Sequence, residues 1–208
     1  MQPNLTEELE LYTAGYTHVA GIDEVGRGAW AGPVYAAAVV LPLDRAGLLD
    51  LLAGVQDSKQ LSPTQREALL PRILEVAEAV GIGWASPADV DELGIVAATR
   101  RAMACAVASL NGHTDALLID HVRLPDVALP QRSFPKADAR CLSVAAASIV
   151  AKVTRDRLMA SLEQDFPGYG LAQHKGYGTR QHREALARLG SLPIHRKSWR
   201  PIREILGV

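Results

Sequence analysis

GIDEVGRG, residues 21 to 28, sets two carboxylates, Asp23 and Glu24, at the end of an apolar run and follows them at once with a Gly-Arg-Gly turn. His18 to Ile22 reads as a buried strand and Gly32 to Leu41 (GPVYAAAVVL) as another, which makes the glycine-rich stretch between them the turn of a hairpin. Ser62 to Ala79 has helical periodicity, opening with Ser62 and Pro63 in the N-cap and first-turn places, and Val80 to Ala85 (VGIGWA) predicts a third strand. Asp89 to Leu110 is helical again, and Ala116 to Ile119 (ALLI) is a fourth strand stopped by Asp120. After a Pro-rich loop, a long helix is predicted from about Ala139 to Asp165, ended by Pro167. Three strands able to run as a meander, then strands alternating with helices, predict an α/β layer architecture with a mixed sheet.

A chain of 208 residues fits one domain with at most a small appendage, and buries most of the surface its unfolded form would expose. The opening MQPNLTEELELY lacks the basic start and apolar core of a signal peptide, and the longest apolar run, around VYAAAVVL, is too short to span a bilayer. A soluble, unanchored, cytoplasmic protein is expected. Cys105 and Cys141 lie in Ala-rich helical patterns without CxxC spacing, so two buried, reduced thiols are expected in place of a disulfide or a zinc site.

The formal net charge of −1 hides an asymmetry. From Ala172 to Val208 there are eight Lys or Arg against two acids, Glu184 and Glu204. Alone, such a tail reads more readily as a solvated helical face than as a nucleic-acid surface. FPGYG, Phe166 to Gly170, marks the expected boundary between a catalytic domain, residues 1–166, and a basic helical segment, residues 167–208.

Asp23 and Glu24 end the first strand, Asp120 ends the fourth, and Asp138 precedes the long helix, so four acids fall where strand ends of an α/β sheet build sites. Taken singly, each has a duller reading: Asp138 as a helix N-terminal acid, Asp120 as a turn residue, Asp23-Glu24 as a hairpin pair. Together they imply a cation. Two like charges about 4 Å apart repel by about 4 kcal/mol at an effective dielectric near 20, and hard divalent ions such as Mg²⁺ or Mn²⁺, which prefer oxygen ligands, remove that cost. A pair of such ions suits phosphodiester hydrolysis. One difficulty is geometric: successive strand side chains point to opposite faces, so Asp23 and Glu24 both reach one site only if the strand bends or bulges, or if Glu24 offers its carbonyl. In the turn, Gly26 and Gly28 leave no Cβ between backbone and ligand, and Arg27 supplies a fork for phosphate oxygens.

These stretches, with AGPVYAAAVVL, DSKQLS (57–62), DEL (91–93), LLID (117–120), KAD (136–138), SVAAASIVAKVTRD (143–156) and QHKGYGT (173–179), resemble bacterial type 2 ribonuclease H, or ribonuclease HII, over about residues 19–203. The resemblance implies a ribonuclease H-like fold, a mixed five-stranded sheet flanked by helices with a small C-terminal helical extension that completes the substrate-binding surface. It implies metal-dependent hydrolysis of the RNA strand of RNA/DNA hybrids and cleavage 5′ to single ribonucleotides in duplex DNA. Asp23, Glu24, Asp120 and Asp138 would bind two Mg²⁺ or Mn²⁺ ions, Gly26, Arg27 and Gly28 would recognise the ribonucleotide, and Tyr177 would pack on the sugar of the next deoxynucleotide. Lys59, His174 and Lys175 are expected as phosphate contacts, and Asp156 is left outside the metal site.

Two departures stand out: His121-Val122 where the family commonly has Gly-Asn, and Gly94 after DEL where Asn is frequent. His121 is read as a solvent-side turn residue, since hard cations favour oxygen over imidazole. Two rival readings are a ribonuclease HIII-like nuclease, which usually carries GKG and a sizeable N-terminal domain, and a catalytically silent nucleic-acid-binding module, which need not keep all four acids. A monomer is expected, and REILGV shows no clamp-binding peptide with paired aromatics, which leaves the recruiting protein unassigned.

Overall fold

A computed structural model describes residues 2–207. In chain order the elements are α1 (Thr6–Thr13), β1 (Val19–Val25), β2 (Val34–Val40), α2 (Leu48–Leu51), α3 (Pro63–Val76), β3 (Ala79–Ala85), α4 (Pro87–Leu93), α5 (Ile95–Ala108), β4 (Ala116–Asp120), β5 (Gln131–Phe134), α6 (Leu142–Asp165), α7 (Leu171–His174), α8 (Arg180–Leu189) and α9 (Arg200–Leu206), with short 3-10 turns at Ser58–Gln60 and Ala137–Ala139. The sheet order is β3-β2-β1-β4-β5. β1 and β2, and β2 and β3, pair antiparallel, whereas β4 lies parallel to both β1 and β5. This is the mixed sheet that the meander followed by strand-helix alternation predicts.

Helices cover both faces, which is why β2 is apolar at successive positions and does not alternate. Ala37 and Val39 enter one core with Val19, Leu118 and the small residues of α6, while Ala36, Ala38 and Val40 enter the other with Ile22, Ala102 and Met103. Close approach on each face depends on glycine. A Cβ at Gly21 would overlap the backbone of Ser143 and Val144 in the first turn of α6, and one at Gly81 or Gly83 would strike the α5 carbonyls of Ala106 or Ala102. The Ser-Val-Ala-Ala-Ala-Ser start of α6 therefore lies against β1. Its first turn is held from far away in sequence: buried Glu8 on α1 accepts from the Ser143 amide (2.9 Å) and hydroxyl (2.8 Å).

The region expected as one helix from Asp89 to Leu110 is two, because Gly94 takes φ 77°, ψ 159°, a conformation a side chain would strain. The long helix begins at Leu142, three residues later than expected, after the 3-10 turn that carries Asp138. Cys141 is buried as expected, but Cys105 is exposed, with its Cβ close to Gly83 of β3. A third core joins the end of α6 to the C-terminal segment: Met159, Tyr169, Leu171, Ala185, Leu186 and Ile202, with Trp30 and Trp199 packed against it. Among the described residues no helix is long and apolar enough to cross a membrane.

Candidate active site

The parallel pairing of β1 with β4 ends at Ile22↔Ile119, so Asp23 and Asp120 each stand one residue beyond the last pair, at the same end of two adjacent strands. The β1–β2 register runs unbroken from Ala20↔Val40 to Val25↔Tyr35, so β1 contains no bulge. Asp23 and Glu24 nevertheless line one cavity, of about 440 Å³, together with Gly26, Arg27, Gly28, Ser58, Lys59, Asp120, Lys152 and Tyr177. Beyond Ile22 the strand lacks its β4 neighbour, and both of its faces open on the same space.

Asp120 and Lys59 also line a second cavity, of about 610 Å³, with Asp57, Lys136, Asp138 and Arg140. Asp120 fastens the two, since its Oδ1 accepts from the amide of Ala137, the residue before Asp138 (2.8 Å). The four predicted acids are thus distributed over two cavities that share a wall. His121 occupies a turn at φ 60° with its side chain exposed.

Burial raises the proton affinity of these acids. Asp23 is pushed well above the usual carboxylate range by desolvation first and by the charge of Glu24 next, against a hydrogen bond from Ser148. Glu24 is raised by desolvation, with Arg27 opposing. Asp138 is raised by desolvation and then by Asp57 and Asp120. Cations answer part of this charge: Arg27 Nη1 lies 3.0 Å from Glu24 Oε1, and Lys59 Nζ lies 3.5 Å from Asp138 Oδ2. Desolvation alone would lower the Lys59 ammonium, but Asp23, Asp57, Asp138 and Asp120 together raise it. Glu24 Oε2 is buried with no hydrogen-bond partner. No three His, Cys, Asp or Glu side chains among the described residues stand close enough to hold one metal ion as they are. Arg27 and Lys59 stand against Glu24 and Asp138 in that space. Oxygen-only donors and an orphaned carboxylate oxygen nevertheless fit a hard divalent ion.

The Gly-Arg-Gly turn is supported from behind. Gly26 has φ 88°, and a Cβ there would overlap the Arg155 guanidinium, whereas Gly28 is exposed with open space where its Cβ would be. Gly26 is therefore small on account of an arginine beneath it, and only Gly28 is bare toward the cavity. Tyr177 is tied to the same turn by a bridge to Ala29 and by the Trp30 amide donating to Gly176 (2.8 Å). Lys152 Nζ lies 5.7 Å from the centre of the Tyr177 ring.

Two expected phosphate contacts are not brought to this cavity. His174 is buried, with Nε2 2.8 Å from the Tyr169 carbonyl and Nδ1 accepting from the Gly176 amide at 3.1 Å, while its ring stacks on His182. Both nitrogens are occupied within the C-terminal core, so His174 is a packing residue. Lys175 lines a different cavity, between α3 and α6, and its Nζ donates to the Ala172 carbonyl. Asp156, also beside that cavity, pairs with Lys152 (2.8 Å) and Arg66 (3.8 Å). Conversely, Asp57, Ser58 and Lys152 line the two acidic cavities without having been singled out. The Asp-Ser-Lys run that supplied Lys59, and the i, i+4 spacing of Lys152 and Asp156, were the available signals.

A mixed α/β sheet that gathers acids at one end of two adjacent strands, beside a glycine–arginine turn and an aromatic ring, defines the class: a nuclease of ribonuclease H fold. The family model described as Ribonuclease HII matches residues 20–202. The Ribonuclease HII of Chloroflexus aurantiacus is 52% identical over 206 residues, covering 99% of this chain and 97% of that protein. That of Geobacillus thermodenitrificans is 52% identical over 201 residues, covering 97% and 75%. Among solved structures, the ribonuclease H2 of Pyrococcus horikoshii OT3 superposes with TM-score 0.74 at 30% identity over 90% of this chain and 96% of that one. Bst-RNase HIII in complex with Mn²⁺ superposes with TM-score 0.72 at 24% identity, covering 96% and 72%, a likeness of fold. The chain belongs to the ribonuclease HII family, and is a ribonuclease H-type endonuclease.

Proposed function

We propose that this nuclease cuts duplex DNA on the 5′ side of a single embedded ribonucleotide as well as the RNA strand of RNA/DNA hybrids. The observation that carries this reading is that one cavity is lined by Asp23, Glu24 and Asp120, by the Arg27-Gly28 backbone and by Tyr177, so that reacting groups and a sugar-sized recognition wall face the same space. A water oxygen bonds to phosphorus and the bond to the preceding O3′ breaks, leaving a 3′-hydroxyl upstream and a 5′-phosphate on the ribonucleotide. Asp23, Glu24, Asp120 and Asp138 would hold two divalent cations, which when bound supply water activation and charge neutralisation at the phosphate. Arg27 and Lys59 exchange carboxylate partners for phosphate oxygens as substrate and ions arrive. Amides at Arg27 and Gly28 read the 2′-hydroxyl, the group that separates ribose from deoxyribose, and Tyr177 packs on the next sugar. Residues 167–208 complete the binding surface. They hold Tyr177 and place Arg183, Arg188, Lys197 and Arg203 on the exterior.

The test is a duplex carrying one ribonucleotide beside a continuous hybrid, each incubated with Mg²⁺, with Mn²⁺ or with chelator. Metal-dependent cleavage 5′ to the single ribonucleotide, with polymerase-extendable 3′ ends, is expected. Tyr177→Ala should lose about tenfold more activity on the single-ribonucleotide duplex than on the hybrid, in line with the ~1–3 kcal/mol of aromatic stacking contacts. An enzyme that degraded the hybrid and left the single-ribonucleotide duplex whole would overturn the reading.

A further inference from the structure

Arg155 and Arg196 are among the largest fully buried side chains of the protein, and neither has a carboxylate partner among the described residues. Every donor they use is spent on main-chain carbonyls. Arg196 donates to Gly26 (2.7 Å), to Arg27 (2.7 Å) and, through Nε and Nη2, to Gly32 (3.1 and 2.9 Å). Arg155 donates to Pro33 (2.9 Å), Ala31 (3.0 Å) and Lys175 (2.9 Å). Five carbonyls of the stretch from Gly26 to Pro33 are thus drawn inward to two guanidinium forks, and the Lys175 bond ties in the segment that bears Tyr177.

In a trans peptide the C=O and N–H point in opposite directions. Drawing the Gly26 carbonyl inward turns the Arg27 amide outward, and drawing the Arg27 carbonyl inward does the same to the Gly28 amide. Neither amide donates to any protein acceptor among the described residues. Gly26 lacks a Cβ so that Arg155 fits beneath it. A buried arginine costs several kcal/mol of desolvation unless its hydrogen bonds are complete, and here two are held side by side.

We infer that Arg155 and Arg196 are positioning residues for substrate discrimination: they fix the turn so that two successive amides face the cavity as ready-made donors to the ribose hydroxyl oxygen. They touch no reacting atom and act through the backbone they hold, with Arg155 also lying 5.5 Å from the centre of the Tyr177 ring. The inference rests on the functional reading above and assigns the rigidity of its recognition element to two residues outside the cavity.

The test uses Arg196→Lys and Arg155→Lys, which keep a charge but cannot fork over several carbonyls. Binding is measured with Ca²⁺ in place of Mg²⁺, to a duplex with one ribonucleotide and to the same duplex in all-DNA form, beside thermal melts of each variant. The wild type should prefer the ribonucleotide duplex. A folded variant should lose that preference by about tenfold or more while its affinity for all-DNA duplex holds. A purely structural role would weaken both duplexes together, and unchanged preference in a folded variant would overturn the inference. A wild type without any preference would overturn the functional reading and the clasp with it. Should neither variant fold, hydrogen exchange in the wild type decides. Protected Trp30, Ala31 and Gly32 amides beside exchanging Arg27 and Gly28 amides that the ribonucleotide duplex shields support the clasp, and uniformly fast exchange from 27 to 32 overturns it.

Discussion

The acidic cavities and the C-terminal core bury charge in opposite ways. At the sheet end, Asp23, Glu24 and Asp138 are pushed toward the neutral acid by desolvation, Lys59 spans the gap among them, and Glu24 Oε2 has no partner. In the C-terminal core, Arg155 and Arg196 are equally buried, yet their donors end on carbonyls, and His182 and His195 face each other at 3.0 Å with Nδ1 of each engaged to backbone. One region holds charge that Arg27 and Lys59 answer only in part, and the other holds arginines and histidines that are answered internally, with Trp199 Nε1 its buried exception. A site waits for a ligand, whereas a scaffold satisfies itself.

The largest expected effect breaks this contrast at its acidic side. Asp120→Asn and Asp138→Asn should each lower cleavage at least about 100-fold, since on the proposed reading each removes a metal-ligand charge from the acidic end of the sheet. Neither should melt at a lower temperature than the wild type in chelator, because each also removes a charge from a repelling cluster. Near-normal turnover in either variant at saturating metal would show that the acids are scaffold after all.

A second expectation sharpens the contrast through pH. Burial lowers His182 and His195 from 6.5 to about 4. The unfolded chain therefore binds more protons than the folded one between about pH 6.5 and 4, and the stability these residues contribute is complete above pH 6.5 and lost as pH falls toward 4. The loss should be on the order of 3 kcal/mol or less for each of the two residues. For Asp23, Glu24 and Asp138 the sign is reversed: with proton affinity raised in the folded state, falling pH relieves repulsion in the metal-free protein. Urea titrations at pH 7 and pH 4.5, in chelator, should show a net drop that His182→Gln reduces and Asp138→Asn enlarges. Equal slopes in all three proteins would remove the distinction.

The smallest effect concerns the exterior. Lys175→Ala combined with Arg180→Ala should flatten the dependence of log affinity on log salt by about one to two units, by releasing fewer counterions. Arg180 already pairs with Glu184 and Lys175 with the Ala172 carbonyl, which keeps the change small. An unchanged slope, measured on all-DNA duplex, would place the electrostatic contact on other residues.

Much of this was legible beforehand. Apolar runs gave β1 to β4, the Ser-Pro start gave α3, and the position of each acid at a strand end or before a helix brought four of them to one end of the sheet. β5 escaped because Gln131–Phe134 is polar and half-buried, an edge strand held by its neighbour and not by its own pattern. The meeting of Asp23 and Glu24 without a bulge escaped because alternation holds along β1, which stays paired with β2 to Val25, and what brings both side chains to one cavity is the loss of the β4 neighbour beyond Ile22. Charge counting set Arg196 among eight basic residues without showing that it is buried, and the resemblance offered His174 as a phosphate contact although both its ring nitrogens are engaged internally. Neither composition nor spacing reveals which polar side chains find internal partners.

The bond from Arg196 to the Gly26 carbonyl spans 170 residues. During synthesis at about 5–20 residues per second, roughly 10–30 s separate the turn from the arginine that secures it. Asp23 and Glu24 are made before that interval and Asp120 and Asp138 within it, so the nascent chain carries all four acids well before Arg196 can hold the turn. On the proposed reading, the order of translation supplies the groups for chemistry first and the residue that fixes discrimination last.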